Sequence, residues 1–306
     1  MKYEPLYVSG GSVILDTDIG PDCDDAGAIA ILGLLSRNMG FKVDALINCT
    51  SNHFGNGAAD ALLRYAGLFG VAEGRFCRRS FLEDTKKYNE YVANTYSEAF
   101  RKGSLKVEDS LELYRRVLEN ADPGSVTVIT IGQFNALAEI FEAEPELCRE
   151  KLRAVISMAG SVKEDVAEYN VVCDVPAAQT VAVKTRELGI PFILSPFEVG
   201  ADVITGFSPD DRAEDPLRDS YRLYTDGGMK RNSWDLTAVL FAAEGENAYF
   251  GFSGAYSLDI RDDGTMSLAS CEKGNVGVIS LLSGTAELEE YLEKLMKESF
   301  CGEMCL

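Results

Sequence analysis

Residues 13–31 read VILDTDIGPDCDDAGAIAI. The apolar run Val13-Ile14-Leu15 has the character of a short buried strand, and the Ala/Ile-rich run after the acids that of a helix with Asp24 and Asp25 near its N-terminus. Between them lie five carboxylates: Asp16, Asp18, Asp22, Asp24 and Asp25. Carboxylates packed this closely repel one another and lose hydration when buried. A hard divalent cation with oxygen ligands relieves both penalties. Helix capping accounts for one or two aspartates but not for five, so the cluster points to a metal or catalytic site.

Outward from this stretch the strand–loop–helix unit repeats. Residues 41–49 read as a second strand, TSNHFGNG as a polar, Gly-rich loop, and residues 58–69 as a helix. Successive units of this kind imply a parallel sheet with right-handed crossovers. Residues 71–124 are more polar and mostly helical in pattern, and are expected to be a helical insertion or a mobile cover over the site. Strands follow at 126–131, 152–158 and 191–194, with a helix closed by Gly189 before the last of them. Residues 207–232 read as helix and loop, 233–243 as a helix, and 255–260 with 265–269 as an antiparallel hairpin turning at Asp263-Gly264. A strand at 276–281 and a helix at 285–298 close the chain. The expected architecture is a single α/β domain over 1–306, with a mostly parallel open sheet flanked by helices and a small C-terminal antiparallel hairpin. In such a sheet ligands bind at the carboxyl ends of the strands. The polar clusters at 50–56, 132–135 and 161–170 fall at those ends, together with the five aspartates.

With 306 residues the chain can bury a large core. Its net charge of −20 argues against nucleic acid or an anionic membrane surface as partner, and is compatible with a small neutral substrate and a bound cation. The N-terminal MKYEPLYVSGGS lacks an apolar signal region and no later run is long enough to span a bilayer, so a cytoplasmic protein is expected. The eight cysteines read as free thiols. Cys301 and Cys305 have a spacing that matches no common zinc pattern.

Three chemistries compete for the acidic loop. A helix–loop–helix Ca²⁺ site would need a bidentate acid at its twelfth position, where the chain has Gly27, and an incoming helix where a strand is read. A phosphotransferase with an aspartyl nucleophile also begins with a strand and D-x-D, but no downstream Lys or Gly-Asp motif is evident to hold its phosphoryl group. The third is a family resemblance. DTDIGPDCDDAGAIA resembles the N-terminal D-x-D-P-G-x-D-D-A-x-A signature of the inosine–uridine-preferring nucleoside hydrolases, with Ile19 in place of the proline and a loop two residues longer. VTVITIGQFNALA, VISMAGSV, VAEYNVVCDVPAAQ and SWDLTAVLFAA are similar to four further blocks of that family, in the same order.

The resemblance implies a Ca²⁺ ion held by Asp18, Asp25, the carbonyl of Ile131 and Asp235. It implies a metal-held water whose proton passes to Asp18 as general base, and attack on the anomeric carbon through an oxocarbenium-like transition state. Asp24, Glu168 and Asn170 match residues that bind the ribose hydroxyls, Asn52 is a looser candidate for that task, and Met158 matches a methionine lining the sugar pocket. A nucleoside-like small molecule is the implied substrate, and a homodimer or homotetramer the implied assembly. The chain departs from the pattern where purine-active relatives carry an acidic histidine. Here stands Trp234, whose indole can stack on a base or sugar face but cannot act as an acid. The one histidine, His53, is placed at the site by no motif. Tyr88, Tyr91, Tyr96 or Tyr224 could supply a proton donor instead, and Asp16 is expected to support the loop from behind, while Asp22 has no assigned role. The alternative is a Ca²⁺- and ribose-binding homologue that has lost leaving-group catalysis.

Overall fold

The computed structural model describes residues 2–163, 165–282 and 284–302. Twelve strands are present among them: β1 (Ser12–Thr17), β2 (Lys42–Asn48), β3 (Ala72–Arg75), β4 (Val107–Asp109), β5 (Val126–Thr130), β6 (Leu152–Met158), β7 (Phe192–Ser195), β8 (Ile204–Gly206), β9 (Lys230–Asn232), β10 (Phe250–Ile260), β11 (Met266–Ser270) and β12 (Val276–Leu281). Ten form one sheet in the order β11-β10-β12-β7-β6-β5-β1-β2-β3-β4. From β12 to β4 every neighbouring pair is parallel, and β10 is antiparallel to both β11 and β12. Strands β8 and β9 make a separate antiparallel pair. The expected α/β architecture is thus present, with the C-terminal hairpin continuing the main sheet rather than standing apart.

The central strands read as unbroken apolar and β-branched runs because both faces of the sheet are covered by helices. Residues 13–17 of β1 and all of β5 are buried. Helix Asp24–Met39 is buried along most of its length, as the absence of a polar face in its sequence requires. It packs against helix Trp234–Glu244, which is equally apolar all round.

Topology places a crevice beside β1. The chain runs outward from β1 through β2, β3 and β4, then returns to β5 on the other side of β1 and proceeds outward through β6 and β7. Adjacent strands whose connections leave in opposite directions open a cleft at their carboxyl ends. Asp18 follows β1 and Ile131 follows β5, so both stand at its mouth.

Three local readings change. The helix after β2 begins at His53, not at 58, because Asn52 caps it by accepting from the Phe54 N–H at 2.9 Å; Gly55 and Gly57 are buried within it. The polar segment 71–124 holds helices but also β3 and β4, whose ladders extend the edge of the sheet. The helical run before Gly189 breaks after Val172, and Asp174 caps the new helix Val175–Leu188. All seven cysteines among the described residues are free thiols. Cys305 lies outside those residues. No helix among them is long and apolar enough to cross a membrane.

Candidate functional site

A cavity of about 400 Å³ opens at the crevice, within the usual range for small-molecule sites. Its lining includes Asp18, Asp24, Asp25, Ile131, Met158, Glu168, Asn170, Trp234 and Asp235, nine of the ten residues expected to contact metal or substrate. Asn52 is not among the lining residues. Its side chain caps its own helix and donates to the Thr85 carbonyl at 2.6 Å, so it ties the loop after β2 to residue 85.

The acidic floor is assembled by two helix N-termini. Asp24 and Asp25 occupy the first turn of helix Asp24–Met39, and Asp235 the first turn of helix Trp234–Glu244. One carboxylate oxygen from each of the three lies within 4.8 Å of the others, and all three residues are buried. The Asp235 N–H donates to Asp24 Oδ2 at 3.0 Å, and the Thr17 hydroxyl donates to Asp25 Oδ1. Burial, followed by the neighbouring carboxylates, pushes all three acids well above the ordinary range. Ionising all three without a counter-charge is strongly disfavoured. A compact, oxygen-only donor set of this kind fits a hard divalent cation. Asp24, which the resemblance matches to the sugar, lines the cavity with one carboxylate oxygen beside those of Asp25 and Asp235.

Asp18 and the ribose candidates are joined by Gln133, to which no sequence motif assigns a role. Gln133 donates through Nε2 to Asp18 Oδ2 at 2.7 Å and to Asn170 Oδ1 at 3.1 Å. Asn170 in turn donates to the carbonyls of Met158 at 3.0 Å and Ile131 at 3.3 Å. Glu168 accepts from the N–H groups of Asn170 and Gly160, both at 2.9 Å, and from that of Val171 at 3.3 Å. Burial raises Asp18 to about 6, with Gln133 pulling against it, and raises Glu168 to about 7. Behind the floor, Asp16 accepts from the Tyr114 hydroxyl at 2.7 Å and is pushed up to about 7 by burial. Gly132 permits this convergence: a Cβ there would lie 2.6 Å from the Asp18 nitrogen and 2.7 Å from Cys49 Sγ.

One wall of the cavity is aromatic and cationic. The Trp234 ring stacks on Phe197 at 5.5 Å between centroids, and its N–H donates to the Phe197 carbonyl at 3.0 Å. The Arg231 guanidinium lies over the Trp234 and Tyr224 rings, at 5.1 and 5.4 Å from their centroids. Asp22 takes the Nε–Nη2 edge of that guanidinium, with contacts of 3.0, 3.0 and 2.6 Å. This ion pair gives Asp22 a structural partner. Its two halves are 209 residues apart, so no local signal announces it.

Of the tyrosines considered as proton donors, Tyr224 alone lines the cavity, and burial holds it at about 12. Tyr88 is fully buried, Tyr96 donates to Asp219 at 2.5 Å, and Tyr91 is exposed. His53 is exposed on the first turn of its helix and its ring stacks on Phe100.

Residues 13–270 match the family model described as inosine-uridine preferring nucleoside hydrolase. A crystal structure of the inosine-uridine preferring nucleoside hydrolase from Bacillus anthracis superposes with a TM-score of 0.70 at 15% identity, over 94% of this chain and 99% of that one. An inosine-guanosine nucleoside hydrolase gives 0.71 at 18% identity, over 94% of this chain and 98% of that one. The type III effector protein XopQ, in complex with adenosine diphosphate ribose, gives 0.68 at 14% identity, over 98% and 95%. At these identities the structures establish likeness of fold. An uncharacterized protein of Schizosaccharomyces pombe is 31% identical over 87 residues, a match spanning 27% of this chain and 26% of that protein.

Proposed function

The chain belongs to the inosine-uridine preferring nucleoside hydrolase family, and from that premise we propose that it hydrolyses the N-glycosidic bond of a ribonucleoside or related N-riboside in a Ca²⁺-dependent reaction. The observation that carries this reading is the buried carboxylate trio Asp24, Asp25 and Asp235 at the bottom of a nucleoside-sized cavity. These residues, with Asp18 and the Ile131 carbonyl at the same floor, would hold the ion. When bound, Ca²⁺ supplies charge neutralisation and Lewis-acid polarisation of the attacking water.

Asp18 is the base in this reading. It is buried, and the Gln133 amide that donates to its carboxylate favours the ionised form that can accept a proton. Gln133 orients it. Glu168 and Asn170 present polar atoms to the sugar hydroxyls, each held in place by bonds to neighbouring backbone groups. The surrounding carboxylates stabilise positive charge developing on the sugar ring as the C–N bond breaks. Met158 gives the ribose an apolar surface.

The test is sugar release from inosine, uridine and nicotinamide riboside, with added Ca²⁺ and after chelation. Release that requires the ion is expected from at least one of them. Asp18→Asn should lower kcat by about 10²–10⁴-fold, the usual contribution of a general base; a loss under tenfold would remove Asp18 from that role. Trp234, whose indole cannot act as an acid, favours as second reading a Ca²⁺- and ribose-binding homologue. Retained ribose binding with no turnover of any riboside would decide for it.

A further inference from the structure

Among the described residues the cavity is lined by six carboxylates, from Asp18, Asp22, Asp24, Asp25, Glu168 and Asp235, and by one cation, Arg231. On the aromatic wall the Trp234 N–H is already given to a carbonyl, and the Tyr224 phenol faces the Asp22 carboxylate. Arg231 differs. Asp22 occupies its Nε–Nη2 edge, while Nη1 makes no hydrogen bond among the described residues. Stacking on two rings and pairing with Asp22 hold the plane of the guanidinium in place, so its remaining donors are preorganised.

Trp234 immediately precedes Asp235, so this wall rises directly from the carboxylate floor where the ribose would sit. The base of a bound nucleoside would therefore meet Arg231. Resting on the hydrolase reading above, we propose that Arg231, positioned by Asp22, reads the edge of the leaving base and selects a 6-oxopurine over a 6-aminopurine. A guanidinium offers only donors. A 6-oxopurine presents two acceptors, O6 and N7, along one edge, whereas a 6-aminopurine sets an N6–H₂ donor beside N7. Because Asp22 cancels the charge of Arg231 and the other carboxylates surround the cavity, a phosphorylated substrate finds no net positive field here.

The same contact assists departure. Water oxygen bonds to the anomeric carbon, its proton passes to Asp18, and the C–N pair moves onto the base. Arginine does not give up a proton, so Arg231 stabilises the leaving anion electrostatically and the base takes its proton from solvent.

Trp234 is the only tryptophan in the chain and provides a binding signal independent of turnover. Its fluorescence is titrated with hypoxanthine and with adenine in the full-length protein, in R231Q, and in R231K, which keeps the charge but not the planar fork. In parallel, kcat/KM is measured for inosine, for adenosine, and for 4-nitrophenyl riboside, whose phenolate leaves without assistance. The wild type should bind hypoxanthine more tightly than adenine. Both variants should lose that preference, with kcat/KM for inosine falling roughly tenfold to hundredfold, the range for one bidentate base contact. Adenosine and the nitrophenyl riboside should lose markedly less than inosine. A wild type without the preference, or variants that lose all substrates equally, would overturn the proposal. A base preference that is present and abolished by R231Q, in a protein that cleaves no riboside, would refute the hydrolase reading and leave this inference standing.

Discussion

Gln133 links the general-base candidate to the sugar-binding candidates through a single amide group. A hydrogen bond to a charged group contributes roughly 1.5–3 kcal/mol. Gln133→Leu would withdraw that donor from Asp18 and from the Asn170 oxygen, raising the carboxyl further and loosening the asparagine. On the proposed mechanism kcat should fall roughly tenfold to hundredfold, as read by steady-state kinetics; an unchanged kcat would show that Asp18 is oriented by other groups. Asp22 illustrates a different residue-scale lesson. Within its loop it is one acid too many, and its partner comes from a distant part of the chain.

At the scale of elements, the metal-ligand candidates depend on how closely two helices approach. Asp24 and Asp25 begin one of them and Asp235 begins the other. Gly27, one turn into the first, makes the approach possible: a Cβ there would lie 2.6 Å from the Tyr221 hydroxyl and 2.9 Å from Leu236 Cδ1. Gly27→Ala gains up to about 1 kcal/mol of helix propensity but overpacks the contact at a cost of about 1–3 kcal/mol. The expected result is a lower Tm and weaker Ca²⁺ binding, both measurable by thermal denaturation and calorimetry. Adding Tyr221→Phe, which removes the nearest obstructing atom, should restore part of both. Ca²⁺ affinity unaffected by Gly27→Ala would mean that the helix spacing does not set the site.

At the scale of the whole molecule, the site is a liability that the fold tolerates because an ion can offset it. Asp24, Asp25 and Asp235 have folded-state acidities raised by burial and by one another. An acid whose pKa is higher in the folded state than in the unfolded one leaves the unfolded chain with fewer bound protons over the interval between the two values. Stability of the ion-free protein therefore falls as pH rises through that interval, which begins near the ordinary carboxylate value of about 4. The chelated protein should show a Tm that declines from mildly acidic to neutral pH. Ca²⁺ should raise Tm and flatten the decline, adding about 4 kcal/mol at a thousandfold excess over Kd. A Tm indifferent to Ca²⁺ and chelator at neutral pH would contradict a native-state ion at this floor.

The alternation of buried strands and apolar helices, the clustering of acids after β1, and the polar ends of successive strands are local patterns, and the sequence by itself determined them. Periodicity and composition act within one element, so the α/β class and the position of the crevice could be read from them. Other features needed the folded chain. The polar segment 71–124 hides the edge strand β4 and its neighbour β3, because both are short and only partly buried and their composition resembles that of a loop. The joining of Asp24 to the Asp25–Asp235 group, the bridge made by Gln133, and the Asp22–Arg231 pair beneath the aromatic wall depend on atoms brought together across strands and helices. Such contacts leave no periodic trace in a single sequence. They arise only when the sheet's reversal beside β1 and the packing of two helices set distant residues at hydrogen-bonding distance.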